Sequence, residues 1–419
     1  MTAVALPVFL VLMLLALPIG FALLAASSVG VLFSERFDLI IVVQRFFSAS
    51  QSPLLLAIPF FILAGELLIS GKLGQRLIRF ASLLVGHIRG ALGQVSVVTS
   101  MMFAGVSGSA VADASALGSV LIPWQKREGY PAPFASAVNA ASSVIGVIIP
   151  PSIPLIIYSS VSDASVGALF LAGIIPGLVF ALASVIAVYV IARRQDFPRQ
   201  EIEITWRALA SEFVHSLPAI FMPVLILSAI ISGAATPTEV SVVAVFYALI
   251  VRGCYRDLGL MQLLRSIIDA GRATGVVMLL IMASSVLGWM ITIDQVPSQV
   301  IGFVNGLGLP EFGIILFMNV LMLLIGTFLD MTPAILLLAP VLVPLADVIG
   351  MSSTQLGIMM VLNLAIGLFT PPVGTTLYIS SSIAGVRIEE TVRALVPFYI
   401  FALIVLGMVS YMPFLIIGA

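Results

Sequence analysis

The amino-acid sequence predicts an all-α integral membrane protein folded as two inverted repeats, each with a re-entrant helical hairpin and a broken transmembrane helix. Three observations predict it. Of 419 residues, 61% are hydrophobic and only 9% charged, where a water-soluble domain carries roughly 25% charged residues. Apolar stretches long enough to cross a bilayer recur along the chain, and the sequence matches itself at an offset of 221 residues.

So little charge cannot cover a water-facing surface, so most of the exterior must face the lipid bilayer. The net charge of −1 points to no nucleic-acid partner, and the single Cys254 cannot form an internal disulfide. A helix needs about 20 apolar residues to cross the hydrocarbon core. The runs 4–33, 53–70, 133–161, 166–192, 216–233, 236–251, 273–293, 351–382 and 394–417 serve as spans. The first is too long for a cleavable signal peptide and has no basic residue before it. If it divides at Pro18 it supplies two short spans, which makes nine or ten crossings in all.

Two further runs, 93–123 and 311–346, exceed one span and are interrupted by small polar residues, as re-entrant hairpins would be. Lys and Arg in short loops mark the cytoplasmic side. With both runs as hairpins, sixteen of the eighteen basic residues share one side and only Arg36 and Arg45 fall opposite. Reading either hairpin as a full crossing destroys that bias. Five crossings then separate the hairpins, so they enter from opposite faces, the first from the cytoplasm and the second from outside. Segments 34–52, 162–165 and 292–310 become external loops.

At the 221-residue offset Gly105 meets Gly326, Pro123 meets Pro344, Gly129 meets Gly350, and Pro176 meets Pro397. Ile145-Gly146 meets Ile366-Gly367 and Pro150-Pro151 meets Pro371-Pro372. Coincident glycines and prolines at one period indicate duplication, and odd parity makes the copies inverted. Secondary transporters share that architecture and bind near the midplane, at discontinuous helices. The chain divides into spans and an interfacial arm at 1–92, a first transport repeat at 93–192, a second set of spans and an arm at 193–310, and a second transport repeat at 311–419. The arms are the Arg-flanked amphipathic stretches 72–86 and 256–270, read as interfacial helices that brace a static frame.

The first hairpin, MMFAGVSGSAVADASALGSVLIP (101–123), breaks at Gly105, Ser107, Gly108 and Ser109, with Asp113 on the returning arm. Irregular backbone at membrane depth survives only where it lines protein or a watery cavity. Serine hydroxyls and freed carbonyls are oxygen donors suited to an alkali cation. The competing reading is a small-residue packing face, but Asp113 is costly at that depth and asks for a function. The second hairpin, NVLMLLIGTFLDMTPAILLLAPVLVP (319–344), breaks between Gly326 and Pro333. Asp330-x-Thr332-Pro333 reads as a helix N-cap that aims a positive helix end into the protein.

A broken span follows each hairpin, NAASSVIGVIIPPSIPLIIYSS (139–160) and NLAIGLFTPPVGTTLYISSS (363–382). Paired prolines remove two backbone donors and stop the helix before them. Ser152 lies beside the first break, and Thr370, Gly374, Thr375 and Thr376 beside the second; Asn139 and Asn363 precede them. None of these four segments contains Lys or Arg, so an anionic solute would be met by helix N-termini, amides and a co-bound cation. Glu239 is read equally as an interfacial carboxylate at a helix start or as a functional group.

These stretches resemble the large membrane subunit of tripartite ATP-independent periplasmic (TRAP) transporters, in PFFILAGELL (59–68), GVSGSAVADASALGS (105–119), IIPPSIPLIIY (148–158), GTFLDMTPAILLLAPVLVP (326–344) and TPPVGTTLY (370–378). The resemblance runs from the first span to the last. It implies a sodium-driven importer of a carboxylate solute, such as a C4-dicarboxylate, sialic acid or another sugar acid, in a bacterial inner membrane, moving by an elevator mechanism. It implies two protein partners, a periplasmic solute-binding protein and a small four-helix membrane subunit, the latter expected as a separate chain because nothing before Thr2 has room for it. Sodium ions are the only metal it implies, with no other cofactor. Ser107 and Ser109 with carbonyls from Gly146 to Pro150 would hold one sodium ion. Asp330 and Thr332 with carbonyls from Gly367 to Thr370 would hold the second. Solute would sit near Ser109, Pro151, Ser152, Thr332, Gly374 and Thr375.

A stand-alone sodium/carboxylate symporter, or a sodium/proton antiporter using Asp113 and Asp330, is the alternative of related fold. Enzymatic function is not expected: GVSGS (105–109) lacks the final glycine of a nucleophile elbow, no His lies within a span, and HExxH and P-loop patterns are missing.

Overall fold

The computed structural model describes residues 1–69, 71–197, 205–257 and 259–418. Arg199, one of the basic residues in the topology count, lies outside the described residues. The first half comprises α1 (Thr2–Leu14), α2 (Ile19–Leu32), α3 (Ile40–Ala49), a short 3-10 turn (Pro53–Leu56), α4 (Ala57–Ile69), α5 (Lys72–Val85), α6 (Ala91–Ser107), α7 (Ala110–Arg127), α8 (Ala132–Ser143), α9 (Ile145–Ile148), α10 (Ile153–Ser159) and α11 (Val166–Arg194). The second comprises α12 (Trp206–Ile231), α13 (Pro237–Cys254), α14 (Leu260–Ile293), α15 (Val296–Gly306), α16 (Glu311–Phe328), α17 (Met331–Val348), α18 (Ser353–Gly367), α19 (Thr375–Ala384) and α20 (Ile388–Tyr411), closing on a 3-10 turn (Pro413–Leu415).

Shifted by 221 residues, α6 and α7 land on α16 and α17 within one residue. The span α8–α9 lands on α18, α10 on α19 and α11 on α20. Pro18 is the N-cap of α2, so the apolar stretch 4–33 is two helices, not one. Both proline pairs, Pro150-Pro151 and Pro371-Pro372, contain a cis peptide bond.

Both hairpins close on themselves. Gln125 near the end of α7 donates to Ser96 Oγ (2.7 Å) near the start of α6. Phe312 at the start of α16 and Gly350 after α17 line one cavity with Tyr411. The open ends of the hairpins lie at opposite ends of α11. At its start, Ser159 Oγ donates to Ala164 O (2.7 Å) and the adjacent Tyr158 hydroxyl to Ser353 O (2.8 Å), beside the mouth of hairpin two. Beyond its end, Asp196 faces Arg89 beside the mouth of hairpin one. Twenty-nine residues of helix separate these contacts, roughly 44 Å. The repeats are therefore inverted, as the count of basic residues demands.

The clustering of charge agrees. Lys72, Arg76 and Arg79 meet Asp257 and Glu212 at one end of α14, while Arg36 and Arg45 lie at the other with Asp294 and Trp289. The stretch 256–270 departs from expectation. Its residues from Leu260 onward form the first turns of α14, one helix of 34 residues. The repeat partner of the amphipathic α5 is instead α15, so the second interfacial helix falls in 292–310, a segment read as an external loop. Apolar periodicity misplaced it because the arginines at 256–272 imitate an interfacial flank.

Helices α8, α9, α10 and α18 are almost wholly buried. Phe221, Phe246 and Ile250 on α12 and α13 are more than half exposed. The broken helices thus form the interior and the outer helices turn their apolar faces to lipid, where backbone groups must be satisfied internally. Among the described residues seven helices, or nine counting two bent pairs, are long and apolar enough to cross. One bent pair is α3 with the 3-10 turn and α4, kinked by 57°.

Candidate ion and solute site

The hairpin tips are built by capping chemistry. Gly108 takes the left-handed conformation (φ +60°) that ends α6, and Ser109 caps α7 by accepting from Ala112 N (3.4 Å). The Ser109 amide donates to Ser107 Oγ (3.4 Å). Asp330 occupies the N-cap of α17 as its sequence suggests, yet its side chain makes no capping hydrogen bond. Asp330 is one of the residues that line a cavity.

That cavity, about 350 Å³, receives both tips: Gly108 and Ser109 from one repeat, Asp330, Met331 and Thr332 from the other. The N-termini of α7 and α17 thus open into a single space, each carrying roughly half a positive charge and unpaired amides. Among the described residues no Lys, Arg or His lines it. The wall facing the tips is α14, through Ala273, Val276, Val277 and Leu280. Sequence reasoning missed α14 because its lining residues are apolar and look like any lipid-facing row.

Ser107, Asp113 and Gly146 come together behind the first tip. Asp113 is fully buried, with the Ser107 hydroxyl beside its carboxyl. A Cβ placed on Gly146 would lie 2.3 Å from Asp113 Oδ2 and 3.4 Å from Ser107 Oγ. Pro150 stands four residues after Gly146 and has no N–H, so the Gly146 carbonyl loses its ordinary helical donor. Val147 O is taken by the Ser152 hydroxyl. A buried carboxyl, a hydroxyl and a freed carbonyl in one pocket are the oxygen donors a small hard cation takes. Among the described residues no three of His, Cys, Asp and Glu gather as a transition-metal site would require.

The second break is more fully satisfied. Pro371 likewise withholds a donor from Gly367, but the Thr370 amide supplies one (3.0 Å). Thr370 Oγ1 donates to Ile366 O (2.7 Å), and Thr376 Oγ1 to Leu368 O (2.9 Å). Gly367 packs directly on the backbone of Gly326, where a Cβ would lie 2.3 Å from the Gly326 carbonyl oxygen. Thr332 is buried at the tip. In both halves the tip is tied to its broken helix by a backbone bond, Ile153 N to Gly108 O (3.4 Å) and Val373 N to Thr327 O (3.1 Å).

Other residues singled out by sequence lie outside the cavity lining. Ser152 is buried as the cap of α10, accepting from Leu155 N (3.3 Å), and Pro151 packs against Gly108. Gly374 (φ +30°) starts α19, and Thr375 Oγ1 is buried without a partner. Asn139 clamps α8 to α7 and α19 through Ala114 O (2.9 Å) and Ser380 Oγ (2.8 Å), while Asn363 holds α18 to α16 through Asn319. Glu239 closes a capping box with Thr236 at the start of α13 (2.7 Å to Thr236 N), which is the structural of its two readings.

The chain matches the family described as "Tripartite ATP-independent periplasmic transporter, DctM component" over residues 6–415. It is 36% identical to the C4-dicarboxylate TRAP transporter large permease protein DctM of Pseudomonas aeruginosa, over 88% of this chain and 86% of the other. It is 37% identical to the 2,3-diketo-L-gulonate TRAP transporter large permease protein YiaN of Escherichia coli, over 96% and 94%. In fold it is similar to the solved YdaH transporter of Alcanivorax borkumensis, with a TM-score of 0.62 at 12% identity, covering 89% and 87%.

Proposed function

Because this chain belongs to the family of the tripartite ATP-independent periplasmic transporter DctM component, we propose that it imports a carboxylate solute across the membrane by coupling to sodium. It is a multi-pass protein of the bacterial inner membrane, and its relatives are permeases, not enzymes. The observation that carries the proposal is the convergence of the α7 and α17 N-termini on one cavity without a basic side chain. Such a space suits an anion held by amides and helix dipoles, with its remaining charge offset by cations bound close by.

One sodium ion would sit among Ser107, Ser109 and the carbonyls from Gly146 to Pro150, with Asp113 supplying a negative charge. The other would sit at Asp330, Thr332 and the carbonyls from Gly367 to Thr370. The hairpins and broken helices would move as one body, since Lys126 Nζ to Ala384 O (2.8 Å), Asn139 to Ser380 and Tyr158 to Ser353 bind the repeats together. The remaining helices of 1–92 and 193–310 would be the frame. Solute would arrive on a periplasmic binding protein, and a small four-helix membrane subunit would complete the frame.

Reconstituted membrane subunits with an inward sodium gradient should take up negligible solute until the loaded binding protein is added. Selective uptake without any soluble protein would favour the stand-alone symporter instead. Uptake indifferent to sodium would remove the coupling.

A further inference from the structure

The cavity between the hairpin tips is chemically lopsided. Its polar side chains, Ser109, Asp330 and Thr332, all belong to the tips. Opposite them α14 presents Ala273, Val276, Val277 and Leu280, flanked by Val111 and Leu368. Val111 and Val276 line that space, so branched apolar side chains stand beside two helix N-termini. No side chain on that wall donates or accepts a hydrogen bond.

We propose that the solute is a monocarboxylate with an apolar body, an aliphatic or aromatic acid, and not a dicarboxylate or a polyhydroxylated sugar acid. The inference rests on the carboxylate reading given above. One carboxylate is accounted for by the amides of α7 and α17 and the hydroxyls of Ser109 and Thr332. A second, at the far end of the solute, would meet Val276, Val277 and Leu280, losing its water without gaining a partner. The hydroxyls of a sugar acid would be stranded in the same way, because a site that holds hydroxyls carries groups to bond them. An alkyl or phenyl body instead takes both itself and the α14 wall out of water. A volume of about 350 Å³ is at the small end of the range for small-molecule sites, roughly 300–1,000 Å³. The C4-dicarboxylate and 2,3-diketo-L-gulonate permeases of Pseudomonas aeruginosa and Escherichia coli are named for polar solutes, which the apolar α14 wall disfavours here.

The test uses the full chain in lipid nanodiscs with phenylacetate, hexanoate, succinate and gluconate. Binding is read as the shift in thermal unfolding, in sodium chloride and in choline chloride. Phenylacetate and hexanoate should bind in sodium about tenfold or more tightly than the other two, and the neutral phenylacetamide should give no sodium-dependent shift. Val277→Asn should weaken phenylacetate binding by about tenfold without weakening gluconate binding. Tighter binding of succinate or gluconate to the unaltered chain would overturn the inference and leave carboxylate import standing. No sodium-dependent shift with phenylacetate or hexanoate would overturn the inference, while carboxylate import falls only if uptake with the loaded binding protein is absent or indifferent to sodium. An equal response to phenylacetamide, or phenylacetate binding untouched by Val277→Asn, would overturn the inference alone.

Discussion

Gly146→Ala tests the first ion site with a single methyl group. The added Cβ would stand 2.3 Å from Asp113 Oδ2 and 3.3 Å from its Cγ. An ordinary carbon–oxygen contact is roughly 3.3 Å, so the carboxylate must retreat by about 1 Å. Asp113 is fully buried in the first turn of α7, which leaves it little room to do so. Overpacking of this kind costs about 1–3 kcal/mol. If the displaced oxygen serves a cation, a comparable loss falls on sodium binding, where about 1.4 kcal/mol is tenfold. The sodium concentration for half-maximal uptake should therefore rise about tenfold, measured in proteoliposomes alongside the unfolding temperature. Adding Asp113→Ala should relieve the clash and recover stability without recovering sodium affinity. A sodium activation curve identical to that of the unaltered protein would refute this placement of the ion.

Ser109→Ala and Asp330→Ala should each weaken sodium activation while membrane insertion, followed by fractionation, stays intact; unchanged curves in both would move the ion sites elsewhere. Gly367→Ala sets a Cβ 2.3 Å from the Gly326 carbonyl oxygen, backbone against backbone, and should lower stability by about 1–3 kcal/mol in thermal unfolding. Thr236→Ala removes the capping box of α13 and should destabilise by about 1 kcal/mol with unaltered uptake kinetics; a changed sodium or solute dependence would give Glu239 a functional part. Cysteines replacing Lys126 and Gln295 should label only from the cytoplasm and only from outside, respectively, and external labelling at position 126 would break the inverted topology.

The architecture was legible because its punctuation is chemical. Gly108, Ser109, Asp330 and the two proline pairs interrupt apolar sequence where a helix must stop, which fixes the tips, while the outer ends of the arms run beyond the apolar runs 93–123 and 311–346 to Arg127 and Val348. Basic residues set the faces because their positions are fixed by the membrane, not by packing. The candidate site was legible only where polarity marks it. Ser107, Ser109, Asp330 and Thr332 lie at the tips as expected, whereas Ser152 spends its hydroxyl on the Val147 carbonyl and on capping. Asn139 and Asn363 look like ligands in sequence, yet each uses its amide to hold one helix to another. Composition gave no hint of the α14 wall, since Val276 and Val277 read alike facing lipid, core or solute. The same blindness placed an interfacial helix at 256–270, where charge flanks an apolar run that is the beginning of a span.

The bend between α3 and α4 has a consequence for energetics. Two identical halves related by inversion would give a transporter two end states of equal energy, because exchanging the roles of the halves converts one state into the other. Here α14 is unbroken over 34 residues while its counterpart is kinked by 57°. Pro150 and Pro151 are buried, and Pro371 and Pro372 are exposed. The degeneracy is lifted, and the empty protein has a resting orientation whose occupancy is a Boltzmann weight, tenfold for every 1.4 kcal/mol or so. Distance distributions between labels on α14 and the hairpin tips, recorded without solute or sodium, measure that weight; two equal populations would mean the bend carries no such bias. Net direction comes from the ion gradient, and the posture in which the protein waits comes from the unequal halves.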